Sequence, residues 1–183
     1  MKPLGKAYKD AEASTGDFKR LPAGGYIAKI TAVEDKDDKE YLSIVFDVAE
    51  GEFKAFYSDA WGKEHPYAHS FVRSYKEKAL GMFKGFLQAV DESNNTDFVK
   101  RAEKGFPEGE LVGKLIGLLI GYEEYRSDRG ELRERTRVTA TRSVETIRSG
   151  NYKVPELKKI EDSMPSSGPV KGFEQVNEAD LPF

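Results

Sequence analysis

The chain has 183 residues, of which 38% are hydrophobic and 33% are charged, and its net charge at pH 7 is −3. This size predicts one domain with extensions, because single domains most often hold about 100–150 residues. Cysteine is absent, which excludes disulfides and cysteine-ligated zinc and is compatible with a reducing compartment. No apolar run approaches the roughly 20 residues of a membrane-spanning helix, and the N-terminus has no signal-peptide core, so we expect a cytoplasmic protein.

Residues 1–20 are mostly polar and predict a flexible N-terminal arm. The segments GYIAKITAVED and YLSIVFDV follow, and their alternating side chains predict two strands joined by the charged turn DKDDKE. In the second strand, Leu42, Ile44, Phe46 and Val48 are predicted to face the core. A turn at residues 49–52 precedes FKAFYSDAW, which predicts a third strand and completes a meander.

The apolar spacing then changes to that of a helix over residues 73–93. Residues 96–105 predict a second, short helix with Thr96 or Asp97 as its N-cap. The segment VGKLIGLLIGYEEY predicts a long fourth strand whose glycines indicate bends or bulges. The turn SDRG and the segment ELRERTRVTATRSV then predict a hairpin with a fifth strand.

The predicted fold is mainly β, a five-stranded OB-fold-like barrel over residues 21–150 with helices between strands three and four. A five-stranded antiparallel sheet covered by a helix is the alternative that the same order allows. Residues 151–183 predict a flexible, disordered C-terminal tail, since Pro, Gly, Ser and charged residues dominate there. Its last part, residues 161–183, holds five acidic residues and one lysine, whereas residues 126–148 hold seven arginines and four acidic residues.

The last hairpin contains the most informative candidate site. Arg133, Arg135 and Arg137 are spaced by two, which places their guanidinium groups on one face of a strand. Arginine pairs with phosphates and aromatic rings stack on bases, so the hairpin predicts a nucleic-acid interface. The remaining members of this predicted site flank the turn or lie on the partner strand: Arg126, Arg129, Tyr122 and Tyr125.

Acidic residues interleave with these arginines, so a solvated hairpin of internal ion pairs is an open alternative. Its acidic members would be Glu123, Glu124, Glu131 and Glu134. The opposite face of the fifth strand is expected to point toward the core through Leu132, Val138 and Ala140.

Aromatic residues and lysines also concentrate around the predicted second and third strands, which form the usual ligand face of OB barrels. Tyr41, Tyr57 and Trp61 are predicted to stack on bases. Lys29 and Lys54 are predicted to contact the phosphate backbone. For any single ring, a place in the core is the alternative.

Motifs typical of enzymes and metal sites do not emerge from the sequence. His65 and His69 are four residues apart, but Pro66 lies between them and no zinc-peptidase motif surrounds them. The acidic turn DKDDKE does not match a calcium-binding loop, and there is no Walker loop. We therefore expect no catalytic residue, no cofactor and no metal.

Several segments together resemble one protein family: KRLPAGGYIAKI, YLSIVFDVAEGEF, RSYKEKALGMFKGF, DESNN, LVGKLIGLLIGYEEY and GNYKVPELKK. They are similar to the single-stranded-DNA-binding proteins of phages and prophages of Gram-positive bacteria, formerly a domain of unknown function. The similarity extends over about residues 21–159. It implies an OB-like fold and a role in phage DNA replication or recombination, in the cytoplasm of the host cell.

The last residues, NEADLPF, resemble the C-terminal tip of bacterial and phage single-strand-binding proteins. The resemblance implies recruitment of replication and recombination proteins through Glu178, Asp180, Leu181, Pro182 and Phe183. The terminal carboxylate would pair with a basic side chain of the partner protein while the Phe ring enters an apolar pocket.

Together these features predict a non-enzymatic single-stranded-DNA-binding protein that protects DNA and recruits partners through its tip. A protein–protein adaptor of the replication or recombination machinery, with little DNA affinity of its own, is the alternative, because the net charge is negative. A membrane partner is not expected, and a homo-oligomer is compatible with the sequence.

Overall fold

The structure, a computed structural model, describes residues 20–160, without the side chains of Ala60 and Trp61. The strands are β1 (Gly24–Lys36), β2 (Tyr41–Val48), β3 (Ser70–Ser74), β4 (Leu115–Arg126) and β5 (Leu132–Arg142). The α-helices are α1 (Ala60–Glu64), α2 (Leu80–Asn94), α3 (Phe98–Arg101) and α4 (Val144–Arg148).

All five strands form one antiparallel sheet in the order β3-β2-β1-β4-β5. The long strand β1 is central and pairs with β2 on one side and with β4 on the other. The mainly β architecture and the helical insertion between β3 and β4 confirm the coarse prediction. The sheet itself is open: β3 and β5 are its two edges and do not pair with each other.

The third strand lies at a different place from the one that the sequence predicted. Residues 52–57 form successive turns, in which Ala55 has a φ of +61° and the Phe56 N–H donates to the Phe53 carbonyl. Strand β3 is instead the segment SFVRS, whose end was predicted to begin the helix. The error has a physical cause: the aromatic residues at 53, 56 and 57 contact the core from turns, which sequence alternation alone cannot distinguish from a strand.

The core lies between the sheet and α2. Leu42, Ile44, Phe46 and Val48 are all buried, which confirms the predicted core face of β2. Helix α2 packs against β3, β4 and β5 and contributes buried side chains, among them Phe86, to the same core. A buried side chain of this kind contributes roughly 1.5–3 kcal/mol to stability through the area it removes from water.

Helix α3 is held by a side chain from the preceding helix. Asp97 occupies the N-cap position, as the sequence allowed, but its side chain does not cap the helix. The carboxylate of Asp91 accepts the backbone N–H groups of Phe98 and Val99 at 2.8 and 2.9 Å instead. Within residues 20–160, no helix has the length and apolar character needed to cross a membrane.

Two glycines of β4 allow other segments to lie directly on the strand. A Cβ at Gly117 would lie 2.6 Å from Cγ1 of Ile147 in α4, and one at Gly121 would lie 2.8 Å from Cβ of Pro155. The register shift between β4 and β5 falls between these glycines and leaves one extra residue, Thr139, in β5. The glycines predicted as bends therefore serve close approach, and the bulge is on the neighbouring strand.

Residues 151–160, predicted as the start of the flexible tail, run along β4. The Lys158 N–H donates to the Tyr122 carbonyl at 3.0 Å, and the Glu124 N–H donates to the Lys158 carbonyl at 2.9 Å. The Ile160 N–H donates to the Glu124 carboxylate at 3.0 Å. The predicted arm up to residue 19 and residues 161–183, with Glu178, Asp180, Leu181, Pro182 and Phe183, lie outside the described residues.

Candidate nucleic-acid interface

A cleft of about 450 Å³ lies between the two edge strands of the sheet, and we call it the β3–β5 cleft. Residues 70–73 of β3, with Tyr67 before them, line one side. Residues 135–138 of β5, with Glu123 of β4, line the other. Three arginines and one carboxylate are the charged lining side chains, which leaves a surplus of two positive charges: Arg73, Arg135, Arg137 and Glu123.

The three predicted arginines of β5 do share one face of the strand. They lie opposite Tyr125, Glu123 and Gly121 of β4 in an unbroken register: Arg133, Arg135 and Arg137. Their side chains are 46–61% exposed. The internal ion pairs that the sequence allowed as an alternative are present as well. Arg133 pairs with Glu131 at 2.7 Å, and the other two arginines pair with Glu123. The row is therefore exposed and cationic but partly neutralised.

The opposite face of β5 was predicted to point toward the core, and only part of it does. Val138 packs against the core and Ala140 is half-buried, whereas Leu132 is exposed. Pairing of β1 with β4 ends at Ile120, so the far part of the hairpin extends beyond the sheet that backs the core. The predicted core position of Leu132 is therefore wrong.

Glu123 is the meeting point of the cations in this region. Its side chain is only 13% exposed and lies 3.0 Å from Arg135 and 3.1 Å from Lys158, and it also pairs with Arg137. Burial raises the pKa of the carboxyl, but hydrogen bonds from Arg135 and Lys158 and the charge of Arg137 outweigh it, so the pKa lies below its usual value. The carboxylate stays ionised at neutral pH with three cations around it.

Arg73 lies in the opposite wall and was not predicted as a site residue. Only 7% of it is exposed, on the core-facing side of β3 opposite Leu42. Nη1 donates to the Val72 carbonyl at 3.0 Å, and the guanidinium lies over the Phe71 ring at 4.7 Å. Burial, aided by the nearby charge of Arg137, lowers its pKa to about 10, so the side chain remains charged at neutral pH.

The predicted tyrosines of the hairpin are half-buried rather than free. The Tyr122 hydroxyl donates to the Leu21 carbonyl at 2.8 Å. The guanidinium of Arg135 lies 5.5 Å from the centre of the Tyr125 ring. A more accessible ring is Tyr67, which is 72% exposed and lines the β3–β5 cleft. It lies outside the segments in which sequence reasoning sought stacking residues.

The predicted stacking role of Tyr57 is corrected by its place in the core. Its ring is buried, stacks on His69 at 4.5 Å and meets Phe46 edge-on at 6.0 Å. Burial raises the pKa of its hydroxyl to about 12. Tyr41 is half-buried at the start of β2, and the Trp61 side chain lies outside the described part of the chain.

The predicted basic residues outside the arginine row are dispersed. Lys29 is exposed on β1 opposite Asp47, and Lys54 is exposed in the turns after β2. Neither lines the β3–β5 cleft. Arg126 and Arg129 are exposed at the hairpin tip, where Arg126 donates to the Gly130 carbonyl at 3.4 Å. The tip thus extends the cationic row of β5, whereas the two lysines belong to other surfaces.

The histidines do not form a metal site in the described residues. His69 is buried, and its ring nitrogens lie within hydrogen-bonding distance of the Phe46 and Gly62 carbonyls. No group of three or more possible metal-ligating side chains occurs within residues 20–160.

No protein-family model matches the sequence, and no curated protein matches it either.

The sequence did contain a signal for Arg73. In SFVRS the apolar and polar side chains alternate so that Phe71 and Arg73 share a face, and an arginine at a core-facing position of a strand is unusual. That signal depends on recognising the strand, and the helical pattern that follows concealed it.

Proposed function

We propose that this protein binds single-stranded DNA without catalysing a reaction on it. The observation that carries the proposal is the cationic surface formed by the β3–β5 cleft and the β5 arginine row. A positively charged groove with an exposed aromatic ring is what binding of a single strand requires, because cations follow the backbone and rings stack on bases. Tyr67 provides such a ring beside Arg73 and Arg137.

The resemblance noted above extends this proposal to a biological role. The protein would protect single-stranded DNA during phage DNA replication or recombination, in the host cytoplasm, and recruit partner proteins through its C-terminal tip. The sheet order is compatible with an OB-like barrel, since pairing of β3 with β5 is the one step that would close the sheet. The β3–β5 cleft would lie at that seam.

A titration of labelled oligothymidine at several salt concentrations tests the proposal. We expect saturable binding that weakens with salt, because phosphate contacts release counterions. The variant R133Q/R135Q/R137Q should reduce the slope of log affinity against log salt by about 2, since each single-strand phosphate contact contributes roughly 0.7. No saturable binding at low salt would refute the proposal.

A matched control removes the same charge from another surface. Lys84, Lys100 and Lys104 are exposed on or beside α2 and α3, and none lines the β3–β5 cleft. The variant K84Q/K100Q/K104Q should retain the salt slope of the unaltered protein. A similar loss in both triple variants would indicate that net charge alone, rather than this surface, attracts DNA.

The acidic tail supports a second test. Ile160 is held by Glu124 beside the hairpin, and the residues that follow carry five acids and one lysine. We expect residues 161–183 to compete with DNA for the arginines, so that their deletion tightens binding at low salt and has little effect at high salt. Equal affinity with and without the tail at low salt would contradict this competition.

The ion pairs of the hairpin favour a second candidate, the protein–protein adaptor. Glu123 and Glu131 neutralise part of the arginine row, which would suit a surface that binds protein rather than DNA. A pull-down from nuclease-treated extract, with the full chain and with Phe183 deleted, separates the two. Partners retained through Phe183 by a protein that does not bind oligothymidine would favour the adaptor.

A further inference from the structure

Arg73 carries a buried charge for which the described residues provide no counter-charge. Its Nε has no hydrogen-bond partner, and within residues 20–160 no carboxylate pairs with it. The charge that does act on it is that of Arg137, which is of the same sign. Burial of an unpaired charge is costly, and a buried cation normally has a paired anion.

The contacts of the side chain do not account for this cost. One hydrogen bond to the neighbouring Val72 carbonyl and one contact with the Phe71 ring leave the donor Nε unsatisfied. An apolar side chain of similar length would fill the same space without desolvating a charge. A guanidinium, in contrast, presents a planar fork of donors that matches the oxygens of a phosphate.

We infer that the β3–β5 cleft is a binding site for a phosphate group, with Arg73 as its buried ligand and Arg137 as the second. Both side chains line the cleft. A phosphate there would supply the missing counter-charge and accept N–H groups of the Arg73 guanidinium.

Glu123 allows Arg137 to exchange its carboxylate partner for a phosphate. It pairs with Arg137 and also with Arg135 and Lys158. When Arg137 turns to a phosphate, Glu123 keeps two cations and is not left as an unpaired buried carboxylate. The Glu123 carboxylate thus pairs with Arg137 in the way that a bound phosphate would.

The source of the phosphate is a nucleic-acid backbone or a free phosphate compound. The cleft of about 450 Å³ is larger than a single phosphate group, and Tyr67 at its rim offers a face for a base. This part, the assignment to a DNA backbone, rests on the proposed function. The phosphate site itself does not.

Thermal unfolding in phosphate and in chloride at matched ionic strength tests the site. We compare the full chain with R73M and with a control, R101M. Arg101 also lies over aromatic rings, at 5.5 Å from Phe98, but has the carboxylate of Glu110 at 2.7 Å. Phosphate should raise the melting temperature of the full chain and of R101M but not of R73M. A phosphate effect that is absent from the full chain, or equal in R73M, overturns the inference.

A measurement on the unaltered protein covers the case in which R73M does not fold. In a ¹⁵N-labelled sample titrated with inorganic phosphate, the Nε–H resonance of Arg73, assigned with R73K, should shift with a saturable dependence. A resonance that does not move contradicts the site.

Oligothymidine then distinguishes the sources. If the phosphate belongs to DNA, R73M should bind roughly ten- to a hundred-fold more weakly, the range for one hydrogen-bonded charge, with a salt slope lower by about 0.7. If R73M binds DNA as the full chain does but loses the phosphate effect, the site takes a free phosphate compound. If the full chain binds no oligothymidine yet shows the Arg73-dependent phosphate effect, the proposed function fails and the phosphate site stands.

Discussion

The two walls of the β3–β5 cleft use the same residue type in opposite environments. On β3, Arg73 is buried beside the aromatic ring of Phe71 and has no carboxylate partner. On β5, Arg135 and Arg137 are about half-exposed and both pair with Glu123. The comparison teaches that position in the fold, not residue type, decides whether an arginine is exposed and paired or buried without a counter-charge.

The protonation behaviour follows the same division. Burial and the like charge of Arg137 lower the pKa of Arg73 to about 10. The hydrogen bond and charge of Glu131 raise the pKa of Arg133 above its usual value. The environment of Arg73 disfavours the charged form, and that of Arg133 favours it. Removing an arginine charge from β3 and from β5 should therefore change the free energy of unfolding in opposite directions.

The largest expected effect concerns the apolar support of the β3 wall. Phe71 is buried and packs against Phe46 and Phe86 at ring distances of 6.0 and 6.1 Å. Phe71→Ala should lower the free energy of unfolding by about 3–5 kcal/mol in urea denaturation, since it leaves a cavity. Val72→Ala, at a neighbouring position that is 51% exposed, should change it by less than about 0.5 kcal/mol. Similar losses in the free energy of unfolding for both variants would show that β3 does not pack Phe71 into the core.

The next effect contrasts the two arginines directly. Arg73→Met should raise the free energy of unfolding by about 1–2 kcal/mol, because an apolar chain replaces a desolvated charge. Arg137→Met should lower it by about 0.5 kcal/mol, because an exposed ion pair with Glu123 is lost. Chemical denaturation in phosphate-free buffer measures both. A decrease for Arg73→Met would assign that side chain a structural role and remove the contrast.

A smaller effect depends on pH and on Glu123. The folded-state pKa of this carboxyl is lowered, so its contribution to stability is present above the unfolded pKa of about 4.3 and is lost as pH falls through the folded value. Glu123→Gln should therefore reduce stability by about 1 kcal/mol at pH 7 and flatten its acid limb. The control Glu134→Gln removes an exposed carboxylate that lies 3.4 Å from Arg20, and it should change the free energy of unfolding at pH 7 by less than about 0.5 kcal/mol. An unchanged acid limb in Glu123→Gln would contradict the assignment.

The smallest effect is expected outside the cleft, at the far end of the arginine row of β5. Arg133→Gln should leave the free energy of unfolding unchanged within error, because solvent screens its pair with Glu131. The same variant should still reduce the salt slope of oligothymidine binding by about 0.7. A clear loss of stability would mean that this pair supports the hairpin.

Period-two alternation was a reliable guide where a strand is long and one face is apolar. It predicted the strands β1, β2, β4 and β5 and the buried face of β2, because alternation is a local property of an extended chain. It failed for β3, which has only five residues and carries Arg73 at a core-facing position. Residues 53–57 have a pattern typical of a strand, but their aromatic side chains contact the core from turns.

The sequence by itself determined that Arg133, Arg135 and Arg137 share a face, since residues two apart on a strand always do. Tertiary structure decided which cations converge on Glu123, because Lys158 meets that carboxylate across a separation of 35 residues. It also decided that Arg73 is buried without a carboxylate partner, since its burial depends on β3 lying at the sheet edge with β5 across the cleft. Strand geometry is set by neighbouring residues, whereas burial and charge pairing are set by segments that only the folded chain brings together.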